Sequence, residues 1–357
     1  FSGTAGQIVA IVGAVTAVYA ATMALTQNDI KRVLAYSTIS QIGYMFMGCG
    51  VGAFAAGMFH LYTHAFFKSL LFLAAGSVMH ALSGELDMRK MGGLRKYLPL
   101  TYPTFLVGAI AIAGVPFFSG FFSKDAILTQ AYAHGQYFVW ALGVTGAILT
   151  AFYMFRLIFL TFHGQERIEP EAKKHLHESP PVMTVPLVIL AFFSVVAGYI
   201  GIPVVFGKNL NWFDKFLEPV IKVPHEAHLA LGTEWLLILI SVAVALGGIY
   251  IAYIFYIRHP RIPKNLIVKY PSLYRLLYRK YYVDEIYNAL FVNSTIKGSE
   301  IIYDNFDLKV IDGAVNGSAS VTNLSGKILS YLQSGLLKDY ALVFLFGVIL
   351  FLGYLLF

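Results

Sequence analysis

Three ionisable side chains stand at four-residue steps in one apolar stretch: His60, His64 and Lys68 within Met58-Phe59-His60-Leu61-Tyr62-Thr63-His64-Ala65-Phe66-Phe67-Lys68. On a helix each four-residue step drifts only about 40° round the axis and rises about 6 Å. The three therefore share one stripe about 12 Å deep. In hydrocarbon, neutral residues would be cheaper by about a few kcal/mol each, so the stripe must face protein or water. Histidine titrates near neutral pH, and loss of hydration penalises a lysine's charged form. That chemistry suits a proton relay, with ordered water filling steps of about 6 Å that exceed hydrogen-bond reach. A hydrogen-bonded structural cluster is the alternative. A metal pair fits poorly, because no carboxylate or thiolate lies nearby and Lys68 would repel a cation.

Lys124, in Phe121-Phe122-Ser123-Lys124-Asp125, is the second candidate. A lysine near the end of a membrane segment either snorkels towards the boundary or serves a path. Arg156 is expected to snorkel, and His80 and His163, near segment ends, are expected to have no special role.

What positions these residues must be a membrane protein. Hydrophobic residues make up 58% of the 357, charged residues 13%, and mean hydropathy is +0.68. Soluble domains carry about 25% charged residues. Aromatic content of 15% suits tyrosine and tryptophan at a lipid–water boundary. The net charge of +7 needs no nucleic acid, since basic excess marks cytoplasmic loops. One cysteine, Cys49, excludes an intrachain disulfide and any iron–sulfur site. The chain starts at Phe1 and lacks a signal-peptide pattern, so the expectation is the later part of a longer protein.

Spanning segments need about 20 apolar residues. Eight candidates cover 7–27, 33–50, 53–82, 99–133, 136–162, 183–207, 235–257 and 339–357. The second is the weakest, with Ser37, Ser40, Gln41 and Tyr44 making it polar. Loop charges support the count. One side receives Lys31 and Arg32, then Arg89, Lys90, Arg95 and Lys96, then Arg167, Lys173 and Lys174, then a basic stretch from Arg258 to Lys280. The other has no basic residue in the loops near 51 and 135. Its long loop 208–234 balances Lys208, Lys215 and Lys222 against Asp214, Glu218, Glu226 and Glu234. The positive-inside rule puts the first set in the cytoplasm and the C-terminus outside.

Two segments depart from plain spans. Gly114-Val115-Pro116 and Ser119-Gly120 interrupt 99–133, predicting a helix break near Pro116. Broken helices recur in ion-handling transporters, and a packing kink is the plainer reading. From about Val283 to Gln333, apolar residues share a helical face, yet Asp284, Glu285, Lys297, Glu300, Asp304, Asp307, Lys309 and Asp312 make the stretch too polar to span. It reads as an amphipathic helix along the membrane surface or along other proteins, about 75 Å long if unbroken. Gly298, Gly313 and Gly317 predict interruptions. No phosphate-binding glycine loop, nucleophile elbow or carboxylate pair is present, so the chain alone is not expected to oxidise, reduce or hydrolyse anything.

The run Asp29-Ile30-Lys31-Arg32-Val33-Leu34-Ala35-Tyr36-Ser37-Thr38-Ile39-Ser40-Gln41-Ile42-Gly43-Tyr44 resembles the signature of the antiporter-like membrane subunits of respiratory complex I. The His60–Lys68 run, Lys90-Met91-Gly92-Gly93-Leu94 and Gly120-Phe121-Phe122-Ser123-Lys124-Asp125 follow in the family's order, over about the first 165 residues. Multi-subunit sodium/proton antiporters share this core. Tyr281-Tyr282-Val283-Asp284-Glu285-Ile286-Tyr287, Asp312-Gly313 and Leu332-Gln333-Ser334-Gly335 resemble the distal, L-type subunits of NADH–quinone oxidoreductase, which carry a lateral helix and a last anchoring span.

The resemblance implies an all-α, antiporter-like fold of two inverted five-helix repeats, each with a broken helix. Residues 1–165 would be the second repeat, broken within 99–133. Two accessory spans would occupy 166–258, the basic linker and lateral helix 259–338, and the anchoring span 339–357. The first repeat, with its own lysine and glutamate, is not in this sequence. By resemblance His60, His64 and Lys68 match the central hydrophilic axis and Lys124 the outward half-channel. The implied function is proton translocation coupled to electron transfer elsewhere; a sodium/proton antiporter subunit and a structural brace are the alternatives. No cofactor is expected in this chain. NADH, flavin, iron–sulfur clusters and quinone belong to other subunits. The implied partners are neighbouring antiporter-like subunits along 283–335 and the lipid bilayer, and the implied location is the bacterial cytoplasmic membrane.

Overall fold

The computed structural model describes residues 3–174, 176–207, 210–221 and 229–356; Lys208, Lys222 and Glu226 of the long loop lie outside them. Sixteen α-helices run in order among the described residues. They are α1 Gly3–Ala24, α2 Ile30–Gly50, α3 Phe54–Ala81, α4 Thr101–Ala113, α5 Ser119–Ala133, α6 Tyr137–Phe162, α7 Pro170–Lys174 and α8 Pro181–Val196. Then come α9 Trp212–Leu217, α10 Leu231–Tyr253, α11 Arg261–Lys269, α12 Pro271–Tyr278, α13 Val283–Tyr287, α14 Asn293–Ile302, α15 Asp312–Leu332 and α16 Leu337–Leu356. The described residues contain no strand, only isolated bridges between Asp29 and Asp87 and between Gly201 and Asn211. The chain divides into two compact units, Phe1–Tyr281 and Tyr282–Phe357.

Among the described residues six helices are long and apolar enough to cross a membrane: α1, α3, α6, α8 with its 3₁₀ extension to Ile200, α10 with its π turn to Arg258, and α16. The protein is a multi-pass membrane protein. The two remaining expected spans are not among them, α2 for its polarity and 99–133 because it is divided into two short helices. In α2, Ser37, Ser40, Gln41 and Tyr44 are all fully buried, so its polarity is turned to protein rather than lipid. Ser40 Oγ donates to the carbonyl of Ala17 on α1 at 2.8 Å. Asp29 caps α2, its carboxylate accepting from the amides of Lys31 at 2.8 Å and Arg32 at 3.0 Å, which satisfies two of the orphan donors of a helix start.

The other exception is the expected break. α4 stops at Ala113, Gly114 takes a left-handed conformation at φ 81°, and α5 restarts at Ser119. Pro116 cannot donate a backbone hydrogen bond, so the ladder cannot continue through it. The two halves meet closely. A Cβ on Gly120 would lie 2.0 Å from the Ala111 carbonyl oxygen, so only glycine fits. Gly120→Ala should therefore lower stability by about 1–3 kcal/mol through overpacking. The thermal unfolding midpoint in detergent should fall, while Gly76→Ala, where an added Cβ meets nothing within 4 Å, should not lower it.

Helix α3 stands at the centre of the first unit and touches α2, α4, α5 and α8. The main core forms round it from Phe67, Leu70, Leu71, Phe105, Ile112, Tyr153 and Leu157, with Met88, Met91 and Leu94 of the connecting loop closing one end.

In the second unit, helical structure is unbroken from Val283 to Leu332. Gly298 lies inside α14, and Gly313 and Gly317 inside α15, without the interruptions expected there. A single glycine costs about 1 kcal/mol in a helix, too little to open a long hydrogen-bonded run. The irregularity appears instead as π-helical stretches at Asn288–Val292 and Tyr303–Ile311. The run ends at Gln333, and α16 follows.

Candidate functional site

The stripe predicted from spacing is one buried face of α3. His60 is fully buried, Lys68 is 4% exposed and His64 8% exposed. Lys68 Nζ donates to the carbonyl of Leu34 on α2 at 2.8 Å and lies 5.3 Å from the centre of the Phe72 ring. The ammonium is thus held by one neutral oxygen and a ring face, with no salt-bridging carboxylate among the described residues. The His60 and His64 rings are 6.2 Å apart, beyond direct hydrogen bonding, as the helical rise requires.

His60 is bound on both sides. Its Nδ1 pairs with Ser123 Oγ at 2.9 Å and its Nε2 with Gln41 Oε1 at 3.2 Å. Ser123 also pairs with Thr63 Oγ1 at 2.7 Å. The Gln41 amide, pointing its oxygen at the ring, leaves its own Nε2 buried without a protein partner; His64 Nε2 is in the same position. Buried polar atoms of this kind are normally satisfied by water. Sequence spacing could not find Gln41 and Ser123, because they lie on α2 and α5, 19 and 63 residues from His60.

Lys124 follows Ser123 on the restarted half of the broken helix and is 2% exposed. It does not snorkel. Its Nζ donates to the carbonyl of Ile112 at 2.8 Å. The last carbonyls of a helix lack intrahelical partners and carry its negative dipole end. Gly114 and Val115 amides serve Ala111 and Ile110, and Lys124 serves Ile112. The break therefore creates the acceptor that lets a cation sit inside the protein. The Tyr44 ring lies 5.3 Å from the same ammonium.

Asp125, named in the motif but given no role from sequence, is 5% exposed and accepts a hydrogen bond from Ser241 of α10 at 2.7 Å. Lys124, Asp125 and Ser241 line a small cavity of about 20 Å³ at Gly114, enough for roughly one water. Arg156 also departs from the snorkelling expectation. It is 5% exposed and binds the Gln27 carbonyl at 2.6 Å, Asn28 Oδ1 at 2.9 Å and Tyr256 at 3.2 Å, clamping α6 to the α1–α2 corner. His163 pairs with Tyr102 at 3.0 Å, and the His80 ring lies 6.2 Å from that of His177. Among the described residues no cluster of three or more His, Cys, Asp or Glu could hold a metal ion.

Buried hydrogen bonds thus join α3 to α2 and α5, and comparison with known proteins shows the family of the chain. Residues 1–150 match the family described as NADH:quinone oxidoreductase/Mrp antiporter, TM, and residues 155–307 match a family of complex I NADH-dehydrogenase C-terminal transmembrane segments. The chain is 44% identical over 375 residues to NAD(P)H-quinone oxidoreductase chain 5 of Picosynechococcus sp., covering 96% of this chain and 55% of that protein. It is 38% identical over 420 residues to NADH-quinone oxidoreductase subunit L of Rhodobacter capsulatus, covering 98% and 58%. The chain belongs to the antiporter-like membrane-subunit family that includes subunit L.

These relatives are longer. The chain spans little more than half their length. Among solved structures, a chain of the Mrp complex from Dietzia sp. shares the fold at 21% identity and a TM-score of 0.50, over 69% of this chain and 48% of that one. The all-α, antiporter-like fold expected from the family resemblance is the fold found.

Proposed function

We propose that this chain supplies part of a proton path in a proton-pumping NADH:quinone oxidoreductase, with electron transfer carried by other subunits. The observation that carries the reading is two deeply buried lysines, each bonded to a backbone carbonyl, with His60 and Ser123 between them. A buried amine held by a neutral oxygen gains or loses a proton without breaking an ion pair, which would otherwise oppose transfer.

In this reading Lys68 is the central carrier. Water between the histidines links it through His64 to His60. Imidazole can accept at one nitrogen and donate from the other, and the Ser123 hydroxyl can do both, so a proton reaching His60 can be handed to the α5 side. Lys124 then passes it outward past Asp125 and the one-water cavity. Gln41 and Thr63 hold the ring and the hydroxyl in line. No cofactor acts in this chain. The exposed apolar residues of the lateral helix, Ile286, Leu290, Ile302 and Phe306 among them, would pack along neighbouring membrane subunits. The location is the bacterial cytoplasmic membrane, with the basic loops in the cytoplasm.

The test uses membrane vesicles carrying the complete assembly. A pH gradient should form on adding NADH, and deletion of 283–335 should collapse it. A gradient driven by sodium without NADH, insensitive to that deletion, would identify a sodium/proton antiporter subunit instead.

A further inference from the structure

A second, larger cavity of the first unit lies apart from Lys124 and Asp125. It measures about 1350 Å³, beyond the roughly 300–1000 Å³ of small-molecule pockets, and opens at the side carrying the basic loops. Six basic residues line it: Arg89, Arg95, Lys96, Arg156, Arg167 and Lys264. Glu166 is the one carboxylate among the lining residues, and it is already engaged by Lys173 at 2.6 Å and Lys96 at 3.8 Å.

Arg89 is paired with Asp87 at 2.6 Å, but the other cations are short of anions. Arg156 is satisfied only by neutral oxygens, and Arg167 by the carbonyls of Arg89, Gln165, Met88 and Leu160. Arg95 and Lys264 have no ion pair among the described residues. Thr26, Asn28, His163 and Gln165 add polar groups, and much of the rest of the lining is apolar. Phe152 and Phe162 come from α6, Phe255 and Ile257 from the π turn that ends α10, and Leu266 and Ile267 from α11. Both α6 and α10 are spanning helices, so the cavity joins hydrocarbon depth to a cationic mouth.

The segment that roofs it has the same character. From Arg258 to Lys280 there are seven lysines and arginines and no acidic residue. A polybasic stretch next to a spanning helix attracts anionic lipid headgroups, and basic pockets between such helices bind them.

We infer that this cavity is a binding site for an anionic phospholipid, its phosphate held at the mouth by Arg95, Lys96 and Lys264 and its chains against the aromatic residues of α6 and the α10 end. A free phosphate would leave the apolar part of the cavity unfilled. A zwitterionic lipid would leave the charge of the mouth uncompensated.

Native mass spectrometry of the full chain in its assembly, delipidated and titrated with phosphatidylglycerol or phosphatidylcholine, tests the assignment. Arg95 and Lys264 are exposed, and their removal takes away no internal hydrogen bond or ion pair described for them. The wild type should retain phosphatidylglycerol in preference to phosphatidylcholine. An R95A/K264A variant should bind it about 25-fold more weakly, at about a factor of five per charge. The charge-preserving R95K/K264R variant should bind as the wild type does. Equal retention of both lipids, or equal binding by R95A/K264A, would overturn the site. Displacement by millimolar inorganic phosphate would identify a soluble anion as the occupant and overturn the lipid assignment.

Discussion

Lys68→Ala should cut NADH-driven proton uptake by vesicles holding the complete assembly by about two orders of magnitude, the scale of a positioned proton-transfer group. The side chain reaches one acceptor, the Leu34 carbonyl, and no other basic group shares that position on α3. Alanine removes the amine that bridges α3 to the Leu34 carbonyl of α2. The carbonyl itself belongs to a helix and also accepts from Thr38 Oγ1 at 3.0 Å, so its loss of one donor should not unfold the bundle. Assembly, read by gel mobility of the intact complex, should remain. Unchanged proton uptake would leave the stripe as a structural cluster.

Lys124→Met should have a comparable effect on proton uptake and, unlike the change at Lys68, a measurable effect on stability. Methionine keeps the length and loses the donor, leaving the Ile112 carbonyl at the end of α4 buried and unpaired. Such an orphan costs about 1–3 kcal/mol. Thermal unfolding in detergent should start earlier, with proton uptake lost well below the new midpoint. Loss of stability with full proton uptake at low temperature would mean that Lys124 only caps the break.

Much of this site was legible in the sequence because it lies on one helix. His60, His64 and Lys68 announce themselves by four-residue spacing in an apolar run, and Gly114 and Pro116 announce the break by their backbone chemistry. The polarity of α2, which made it the weakest span, became its explanation once Ser37 and Gln41 were found facing protein. What spacing could not supply was contact between helices. Ser123 and Gln41 at His60, and Ser241 at Asp125 from 116 residues away, are ordinary polar residues until the bundle closes. Arg156 misled for a related reason. Its place near a span end suggested a reach for the boundary, whereas the carbonyl of Gln27 and the amide oxygen of Asn28 offered nearer acceptors inside the protein. The helical run from Val283 to Leu332 shows the limit of local propensity, since three glycines that should have interrupted it are carried by the hydrogen bonding of their neighbours.

The most direct measurement is the proton-to-electron ratio of the complete assembly carrying Lys68→Arg. Arginine keeps the positive charge and can reach the Leu34 carbonyl, but it does not give up its proton under physiological conditions. A proton path through Lys68 predicts a ratio below the wild-type value in vesicles whose electron transfer is measured in parallel. A wild-type ratio would contradict the path and leave Lys68 with a role that charge alone fulfils.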